Sequence, residues 1–519
     1  MATFVGAIDQ GTTSTRFILY DHAAKPVVSH QLEFTQIYPQ AGWVEHDPIE
    51  ILATVHTAMK VVLTKATEQG IQVQGKLKAV GITNQRETTV VWSKSTGKPF
   101  YNAIVWMDGR TSAICRQLEE KLPQGGRHFV KTCGLPIHPY FSATKLLWLM
   151  ESVPEVKTAI ESGDALFGTI DTWLIWNLTG GANSETTIHV TDCSNASRTM
   201  LMDLETLQWH EPTLKSLGIP RSILPKIISN VEMIGEISEG WPFVGVALAG
   251  CLGDQHAAML GHYCKKGEAK STYGTGCFII SNTGEQIVPS NHGLLTTISY
   301  KLGPDSPTNY GLEGSIAIAG AAVQWLRDNL GIIKTSSEVE EVAKTVSDAG
   351  GVYFVPAFSG LYAPWWRDDA RGVLVGITRY TNKGHIARAT LESMCFQARE
   401  VLTSMKADAA GGDAKVEGEF LLKVDGGATV NNLLMQLQAD LLGSSVVRPA
   451  DIETTALGAA YAAGLAVGIW TEKQIAELTA GSGASSIFHP QVTEDERERR
   501  YQSWNKAVER SFGLADLAS

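Results

Sequence analysis

The sequence predicts an α/β protein made of two domains of similar size. The chain has 519 residues, whereas a single hydrophobic core stops growing at about 250–300 residues. Short apolar runs alternate with longer segments of helical period, which is typical of α/β or mixed α+β folds. A boundary near residue 258 gives predicted domains 1–258 and 259–519.

Both predicted domains contain apolar runs of strand length and segments of helical period. The strand-like runs are Phe4–Ile8, Phe17–Tyr20, Leu77–Ile82, Thr88–Trp92, Val244–Leu252, Phe278–Ser281, Val352–Val355 and Leu421–Val424. The predicted helices are Pro48–Lys65, Ile318–Leu330, His385–Met405 and Val430–Leu442. In the last helix four apolar residues share one face, namely Val430, Leu434, Leu437 and Leu441.

Composition excludes several classes of function. The net charge of −11 argues against a surface that binds nucleic acid or anionic lipid. The seven cysteines form no CxxC pair, which favours a reduced compartment and predicts a cytoplasmic protein, although an organelle stays open. Residues 454–471 carry no charge, but they are rich in glycine and alanine and too weakly apolar to span a membrane, so we predict a closely packed helix.

The cluster Glu45-His46-Asp47 could be taken for a metal or acid/base site, but its context favours a structural role. Asp47 precedes Pro48 and, three residues on, Glu50, an arrangement typical of a helix N-terminus. We therefore predict that Asp47 caps a helix.

The strongest local signal for chemistry runs from Asp9 to Arg16 between two apolar strands. Gly11 permits a tight turn, and three hydroxyl residues follow it, Thr12, Thr13 and Ser14. Arg16 adds a permanent positive charge that suits phosphate, and the Asp9 carboxylate suits Mg²⁺. The same residues would also form an ordinary polar hairpin turn.

Two further turns have similar chemistry, and the chain lacks the GxxxxGK[ST] motif of P-loop enzymes. Tyr273-Gly274-Thr275-Gly276 precedes a return strand and resembles the first turn. Asp425-Gly426-Gly427 ends another strand and leads into a helix, whose N-terminus favours an anion. Each turn alone is weak evidence, but together they predict phosphates held between hairpins.

Candidate acceptor groups lie at the ends of other strands. Arg86 and Glu87 sit between two apolar runs and can serve one ligand only if the backbone bends there. The alternative is an exposed ion pair at a hairpin. Asp254 follows the run Val244–Leu252, where it would either cap a helix or accept a proton from an attacking hydroxyl.

In this order the motifs resemble those of the glycerol kinases, a family of the FGGY carbohydrate kinases. Two more segments carry the resemblance, Tyr140–Trp148 and Gly372–Glu392. It extends from about residue 4 to about residue 470. It implies a two-domain actin-like (ribonuclease H-like) ATPase fold with an interdomain cleft, and ATP and Mg²⁺ as cofactors.

The resemblance also implies roles for individual residues. The residues that match nucleotide-binding positions are Thr12, Thr13, Ser14, Arg16, Gly274, Thr275, Gly320, Gln324, Gly427 and Asn431, with Asp9 near Mg²⁺. The residues that match glycerol-binding positions are Arg86, Glu87, Trp106, Tyr140, Asp254, Gln255 and Phe278. Among them Asp254 matches the general base, and Trp106 and Phe278 match the aromatic walls.

The expected activity is therefore ATP-dependent phosphorylation of glycerol, with ATP and glycerol as the small-molecule partners. Two alternatives stay open. One is an FGGY kinase for a pentulose, gluconate or erythritol, and the other is a non-catalytic actin-like module that switches with nucleotide. The resemblance also allows a homodimer or homotetramer.

Overall fold

A computed structural model describes residues 3–358, 360–410, 421–450, 452–481 and 485–518. The strands of the first half are β1 Phe4–Gln10, β2 Ser14–Asp21, β3 Pro26–Glu33, β4 Glu45–His46, β5 Leu77–Asn84, β6 Val90–Ser93, β7 Ala103–Ile104, β8 Ala165–Gly168, β9 Val190–Asp192, β10 Lys226–Ile228, β11 Met233–Glu236 and β12 Ala247–Gly253. Its helices are α1 Pro48–Glu68, α2 Ser112–Lys121, α3 Val130–Cys133, α4 Ser142–Ser152, α5 Pro154–Ser162, α6 Ile170–Leu178, α7 Cys193–Ala196, α8 Glu211–Leu217 and α9 Asp254–Gly261.

Strands and helices also alternate in the second half of the chain. Its strands are β13 Ala269–Tyr273, β14 Cys277–Gly284, β15 Leu295–Lys301, β16 Thr308–Ile316, β17 Tyr353–Val355, β18 Val373–Val375, β19 Leu422–Asp425, β20 Val446–Arg448 and β21 Ser486–Phe488. Its helices are α10 Gly320–Asp328, α11 Glu338–Ala343, α12 Lys383–Ala409, α13 Asn432–Leu442, α14 Thr454–Ala466, α15 Glu472–Gly481 and α16 Glu494–Glu509. Short 3₁₀ helices cover Gly125–Arg127, Gly181–Asn183, Arg221–Ile223, Gly427–Val430 and Ala515–Ala518.

Two large mixed sheets organise the chain, and each contains a hairpin whose first strand also pairs in parallel with a later strand. The first has the order β11-β12-β5-β1-β2-β3, with β1 antiparallel to β2 and parallel to β5. The second has the order β15-β16-β14-β13-β19-β20-β21, with β13 antiparallel to β14 and parallel to β19. Each sheet thus has a central hairpin followed by parallel strands, which confirms the predicted α/β class and the similarity between the two hairpin turns.

Helices bury the apolar faces of both sheets. On the first sheet α1 packs against β2 and β3, and its buried residues include Ile51, Val55 and Met59. Asp47 caps α1 as predicted, because its carboxylate accepts the N–H of Ile49 at 2.8 Å. In a capping box the glutamate at the third helical position bonds back to the cap residue. Here the Glu50 carboxylate instead accepts hydrogen bonds from the backbone N–H and the hydroxyl of Thr35.

Helix α14 joins the two halves of the chain. In sequence it lies between β20 and β21 of the second sheet, yet it packs against β1, β5 and β12 of the first sheet and against α9. Small residues permit this approach: a Cβ on Gly458 would lie 1.8 Å from the carbonyl oxygen of Ala257. The predicted packed helix is therefore confirmed, and no helix in the described ranges is long and apolar enough to cross a membrane.

Most predicted elements are present, with boundaries shifted by a few residues. The prediction for Val430 is wrong: it lies in a 3₁₀ turn with 62% of its surface exposed, while Leu434, Leu437 and Leu441 are buried. The reason is that the helix begins two residues later, at Asn432, where the Asn431 side chain caps it by accepting the N–H of Leu434 at 2.9 Å.

Candidate active site

Polar residues from distant parts of the chain meet where parallel strands of the first sheet end. Strands β1, β5 and β12 run parallel and finish next to one another at Gln10, Asn84 and Gly253. The carboxyl ends of parallel strands are the usual position of ligand sites in open α/β sheets. This topology brings Asp9, Arg86 and Asp254 to one edge.

The backbone bends at Glu87, as a shared acceptor site requires. Glu87 has a φ of +58°, in the left-handed region that residues other than glycine rarely occupy. The bend ends β5 and lets Arg86 and Glu87 serve the same region. Both side chains are buried, so the alternative of an exposed ion pair at a hairpin is wrong.

Asp254 opens α9 and faces Arg86. The distance from the Arg86 Nε to the Asp254 Oδ1 is 3.3 Å, and the Asp254 side chain keeps 27% of its surface exposed. Its oxygen also accepts the N–H of Gln255 at 2.7 Å, whereas Gly253, not Asp254, is the N-cap residue of α9. Burial raises the pKa of Asp254, and the positive charges of Arg86 and Lys270 oppose that rise. The carboxylate is thus a stronger base than an ordinary surface aspartate.

Three further buried charges lie around the contact between Arg86 and Asp254, namely Glu313, Arg198 and Glu87. Arg86 binds Glu313 end-on, with both of its terminal nitrogens 2.7 Å from the two carboxylate oxygens. The Arg198 Nε lies 2.6 Å from the Glu87 Oε1, and the Arg198 Nη1 lies 3.4 Å from Glu313. Burial would raise the pKa of Glu313, but Arg198 and Arg86 hold it well below its usual range. Glu313 is therefore a permanent negative charge between two arginines.

Three aromatic rings form one wall of the same region. The ring centroid of Trp106 lies 5.6 Å from that of Tyr140 and 5.7 Å from that of Phe278. The Trp106 indole N–H donates to the hydroxyl of Thr12 at 2.9 Å. Because Thr12 belongs to the first hairpin, this bond joins the predicted polyol site to the predicted phosphate site.

Gln255, one of the predicted glycerol-binding residues, already uses one end of its side-chain amide within the protein. Its side-chain oxygen already accepts from the ammonium group of Lys270. Lys270 is completely buried on β13 and also donates to the Thr272 hydroxyl at 2.9 Å. The amide nitrogen of Gln255 is consequently the end that remains for a ligand, and it would donate rather than accept.

The first hairpin turn carries the predicted hydroxyl groups. The Gly11 N–H donates to the Ser14 carbonyl at 2.9 Å, which closes the turn. Thr13 is exposed at its tip. Arg16 makes an ion pair with Glu453, which immediately precedes α14, and donates to Gln31 at 2.8 Å. The guanidinium thus already has an anionic partner from the second half of the chain.

Asp9 lies in a locally acidic environment. Burial raises its pKa to about 7; Arg16 lowers it, and Glu453 and Asp254 raise it further. Within the described part of the chain no hydrogen bond to the Asp9 carboxylate is recorded. A partly exposed carboxylate that repels two others and lacks a fixed donor fits a site for a hard cation such as Mg²⁺.

The second hairpin turn packs against the start of α10. The backbone N–H of Gly320 donates to the Gly274 carbonyl at 3.0 Å, and the Ala321 N–H donates to the Thr275 carbonyl at 3.1 Å. A Cβ on Gly320 would lie 2.5 Å from the Gly274 oxygen, so this position requires glycine. The structure therefore brings Gly274, Thr275 and Gly320 together, with Gln324 exposed one turn further along α10.

The third predicted turn lies at the end of β19 in the second sheet. A Cβ on Gly427 would meet no atom within 4 Å, so its surface is open. Asn431 caps α13 through its side-chain oxygen, which leaves only its amide nitrogen for a ligand. Thr272 pairs with Asp425 across β13 and β19, so this turn lies beside the second hairpin.

Four buried groups of the site were not predicted: Arg198, His256, Lys270 and Glu313. His256 lies 3.1 Å from the Arg86 Nη1. Glu313 and Lys270 lie within strands, and Arg198 follows a single helical turn, so no local motif marks them. A charged residue inside a buried strand indicates that a partner of opposite charge is buried beside it. The sequence does not show which residue that partner is.

The comparisons with known proteins cover nearly the whole chain. Two domain models of the FGGY family of carbohydrate kinases match, the N-terminal domain over residues 4–261 and the C-terminal domain over residues 269–467. A glycerol kinase of Arabidopsis thaliana is 68% identical over 517 residues, which cover 99% of this chain and 99% of that protein.

Two further comparisons extend this finding. A glycerol kinase of Roseiflexus sp. (strain RS-1) is 54% identical over 518 residues, which cover 99% of this chain and 100% of that protein. Among solved structures, Plasmodium falciparum glycerol kinase with ADP superposes with a TM-score of 0.89 at 40% identity and covers 98% of each chain.

Proposed function

Because the chain belongs to the FGGY family of carbohydrate kinases, we propose that it phosphorylates glycerol with ATP. The activity is that of an ATP:glycerol 3-phosphotransferase, and the product is sn-glycerol 3-phosphate. The observation that carries the proposal is the bond from Trp106 to Thr12. This bond supports the proposal because it joins a residue of the proposed polyol wall to the proposed phosphate hairpin.

The acceptor half of the site suits a three-carbon polyol. Arg86 and the amide nitrogen of Gln255 can donate to hydroxyl oxygens, while Glu87 and Asp254 can accept from hydroxyl hydrogens. Trp106, Tyr140 and Phe278 cover the C–H edges and limit the length of the carbon chain. Because Arg86, Glu87 and Gln255 are buried, an analogue that lacks the hydroxyl bound by one of them leaves that group unpaired.

Asp254 is the proposed general base. The glycerol oxygen forms a bond to the γ-phosphorus as the bond from that phosphorus to the bridging oxygen breaks, and ADP leaves. The hydroxyl proton passes to the Asp254 carboxylate. Arg86 lies 3.3 Å from this carboxylate, so it both orients the base and balances its charge. Positioning and charge stabilisation supply most of the rate in phosphoryl transfer.

The phosphate half of the site uses the three turns. Thr12, Thr13 and Ser14 would bind phosphate oxygens, with Arg16 beside them. Gly274 and Thr275 would hold the phosphate chain from the second sheet. The residues Gly320, Gln324, Gly427 and Asn431 would line the nucleoside end. Asp9 would hold Mg²⁺, which when bound neutralises charge on the phosphates.

Closure of the cleft would bring the turns of the second sheet towards the Gly11 hairpin. Closure would exclude water and favour transfer to glycerol over hydrolysis of ATP. We also propose that the boundary near residue 258 separates the moving parts. Limited proteolysis with and without ADP and glycerol tests this, since closure should protect the cleft.

A direct assay tests the proposed function. The purified chain is incubated with ATP, Mg²⁺ and a panel of polyols, and both ADP and phosphorylated product are measured. We expect glycerol to give the highest kcat/KM and glycerol 3-phosphate to form only with ATP. A preference for a pentulose, gluconate or erythritol would overturn glycerol as the substrate. Slow ATP turnover that no polyol stimulates would favour the nucleotide-switch alternative.

The cellular location and the oligomeric state of the protein are separate proposals. We propose a cytoplasmic protein that forms a homodimer or homotetramer. Light scattering on the purified chain and fluorescence microscopy of a tagged chain in its own cells test these two points.

A further inference from the structure

Glu313 is the only acidic side chain in the described residues that touches both buried arginines of the polyol site. It has no exposed surface, and it accepts two hydrogen bonds of 2.7 Å from Arg86. Strand β16, which carries Glu313, belongs to the second sheet, whereas Arg86 follows β5 of the first sheet. The guanidinium of the polyol site is thus held from the other half of the molecule.

The bidentate contact decides which N–H groups of Arg86 remain for a substrate. A guanidinium has five N–H donors in a rigid plane, and Glu313 uses one from each terminal nitrogen. The remaining N–H on Nη1 faces His256 at 3.1 Å. The remaining N–H on Nη2 faces the Tyr140 hydroxyl at 3.5 Å, and Nε faces Asp254 at 3.3 Å. Those last two donors point towards predicted polyol contacts.

A second buried ion pair, between Arg198 and Glu87, orients an acidic group of the polyol site in the same way. The Arg198 Nε holds the Glu87 Oε1 at 2.6 Å, which leaves the other carboxylate oxygen of Glu87 for a hydroxyl. The guanidinium of Arg198 lies 5.4 Å from the Tyr140 ring centroid and near Glu313. Each substrate-facing charge therefore has an opposite charge behind it, and Glu313 contacts both arginines.

We propose that Glu313 is a positioning residue for the polyol: it fixes the plane of Arg86 so that two of the five donors meet substrate hydroxyl groups. The inference rests on the proposed function, because it assigns a role within that acceptor site. It also makes the acceptor half dependent on both sheets, since Glu313 lies on β16.

The test compares glycerol with propane-1,2-diol, which lacks one hydroxyl. In Glu313→Gln the acceptor remains but its charge is lost, so the Arg86 plane loosens. We expect kcat/KM for glycerol to fall about 10- to 100-fold, as for other residues that orient a ligand-binding group. The KM for ATP should stay within about twofold. The preference for glycerol over the diol should fall at least fivefold, because a loosened Arg86 discriminates less between them.

A matched control separates positioning from damage to the fold. Glu45 is another buried carboxylate with an arginine partner, since its Oε1 lies 2.8 Å from the Arg110 Nη2. Glu45→Gln should lower the melting temperature without changing the glycerol-to-diol ratio. A purely structural role for Glu313 predicts that its variant behaves in the same way.

Failure of this inference can be distinguished from failure of the proposed function. If the unmodified chain phosphorylates a different polyol, that polyol and its deoxy analogue replace glycerol and the diol, and the positioning role is still tested. A ratio and a KM within twofold of the unmodified chain in Glu313→Gln would overturn the inference. If that variant does not fold, Glu313→Asp is measured in the same way, and failure of both to fold would show a structural requirement instead.

Discussion

The two halves of the cleft hold their charges in different ways. In the acceptor half, Arg86, Glu87, Arg198 and Glu313 are all buried and each has a partner of opposite charge within 2.7 Å. In the phosphate half, Thr13 and Thr275 are exposed, and Arg16 pairs with Glu453, whose side chain is 44% exposed. The candidate acceptor half therefore has its charges paired inside the protein, whereas the candidate phosphate half presents exposed hydroxyl groups and a partly exposed ion pair.

The physical reason is the cost of removing charge from water. A buried charge is stable only when a partner and further hydrogen bonds replace the lost hydration, so the polyol contacts need fixed partners. The phosphates of a nucleotide are anionic, so exposed hydroxyls, backbone N–H groups and an arginine can bind them at the protein surface. Five tests probe this contrast, from the largest expected effect to the smallest.

The largest effect is expected for Asp254→Asn. It removes the proton acceptor but keeps the shape of the side chain, so turnover should fall about 10²- to 10⁴-fold. Affinity for ADP, measured by calorimetry, should stay nearly unchanged. Near-normal turnover would show that Asp254 is not the base.

The next effect is a loss of stability in Arg198→Met. Glu87 would remain buried without its partner, which costs about 3–5 kcal/mol. Thermal and urea unfolding measure the loss, and the KM for glycerol should rise. Arg110→Met is the matched control, because Arg110 is also buried and lies 2.8 Å from Glu45 and from Asp108. It should lose comparable stability while the KM for glycerol stays constant; equal changes in both variants would contradict a preformed acceptor half.

A smaller effect links Mg²⁺ to pH through Asp9, whose pKa is raised to about 7. Below pH 7 a proton occupies the carboxylate and competes with the cation. The half-saturating Mg²⁺ concentration should therefore rise about fivefold from pH 7 to pH 6. Asp9→Asn is the control for protonation of ATP itself, and it should lose the part of the pH dependence that belongs to Asp9.

The same carboxylate should affect stability in a defined direction. Because its folded pKa is raised, its stabilising contribution is present below its unfolded pKa and is lost as pH rises through 7. Without Mg²⁺, Asp9→Asn should therefore melt at a higher temperature than the unmodified chain at pH 8 and at nearly the same temperature at pH 4. An equal difference at both pH values would contradict the assignment.

The smallest effect is expected for Glu453→Gln. Losing this partly exposed partner frees Arg16, and such ion pairs contribute about 0–1 kcal/mol. ADP should bind a few-fold more tightly, and the gain should shrink at high salt because exposed pairs are screened. Weaker binding of ADP in this variant would show that Glu453 belongs to the nucleotide site, and the contrast between the two halves would need revision.

Much of the fold and part of the site could be predicted from local patterns. The strand–turn–strand signals at Asp9–Arg16 and Tyr273–Gly276 are correct because turn chemistry depends on a few adjacent residues. The cap at Asp47 is correct for the same reason. The prediction that Val430 shares the buried face of a helix is wrong, because apolar spacing alone does not show where a helix begins. Here the Asn431 side chain caps the helix and so sets its first residue.

The sequence by itself determined the α/β alternation, the hairpin turns and the groups that carry charge, since these depend on neighbours along the chain. Only the tertiary structure decided which charges meet. Arg86 and Glu313 are 227 residues apart, and Arg198 reaches Glu87 over 111 residues. Electrostatic partners are chosen by distance in space and by burial, and neither quantity is written into the spacing of residues along the chain.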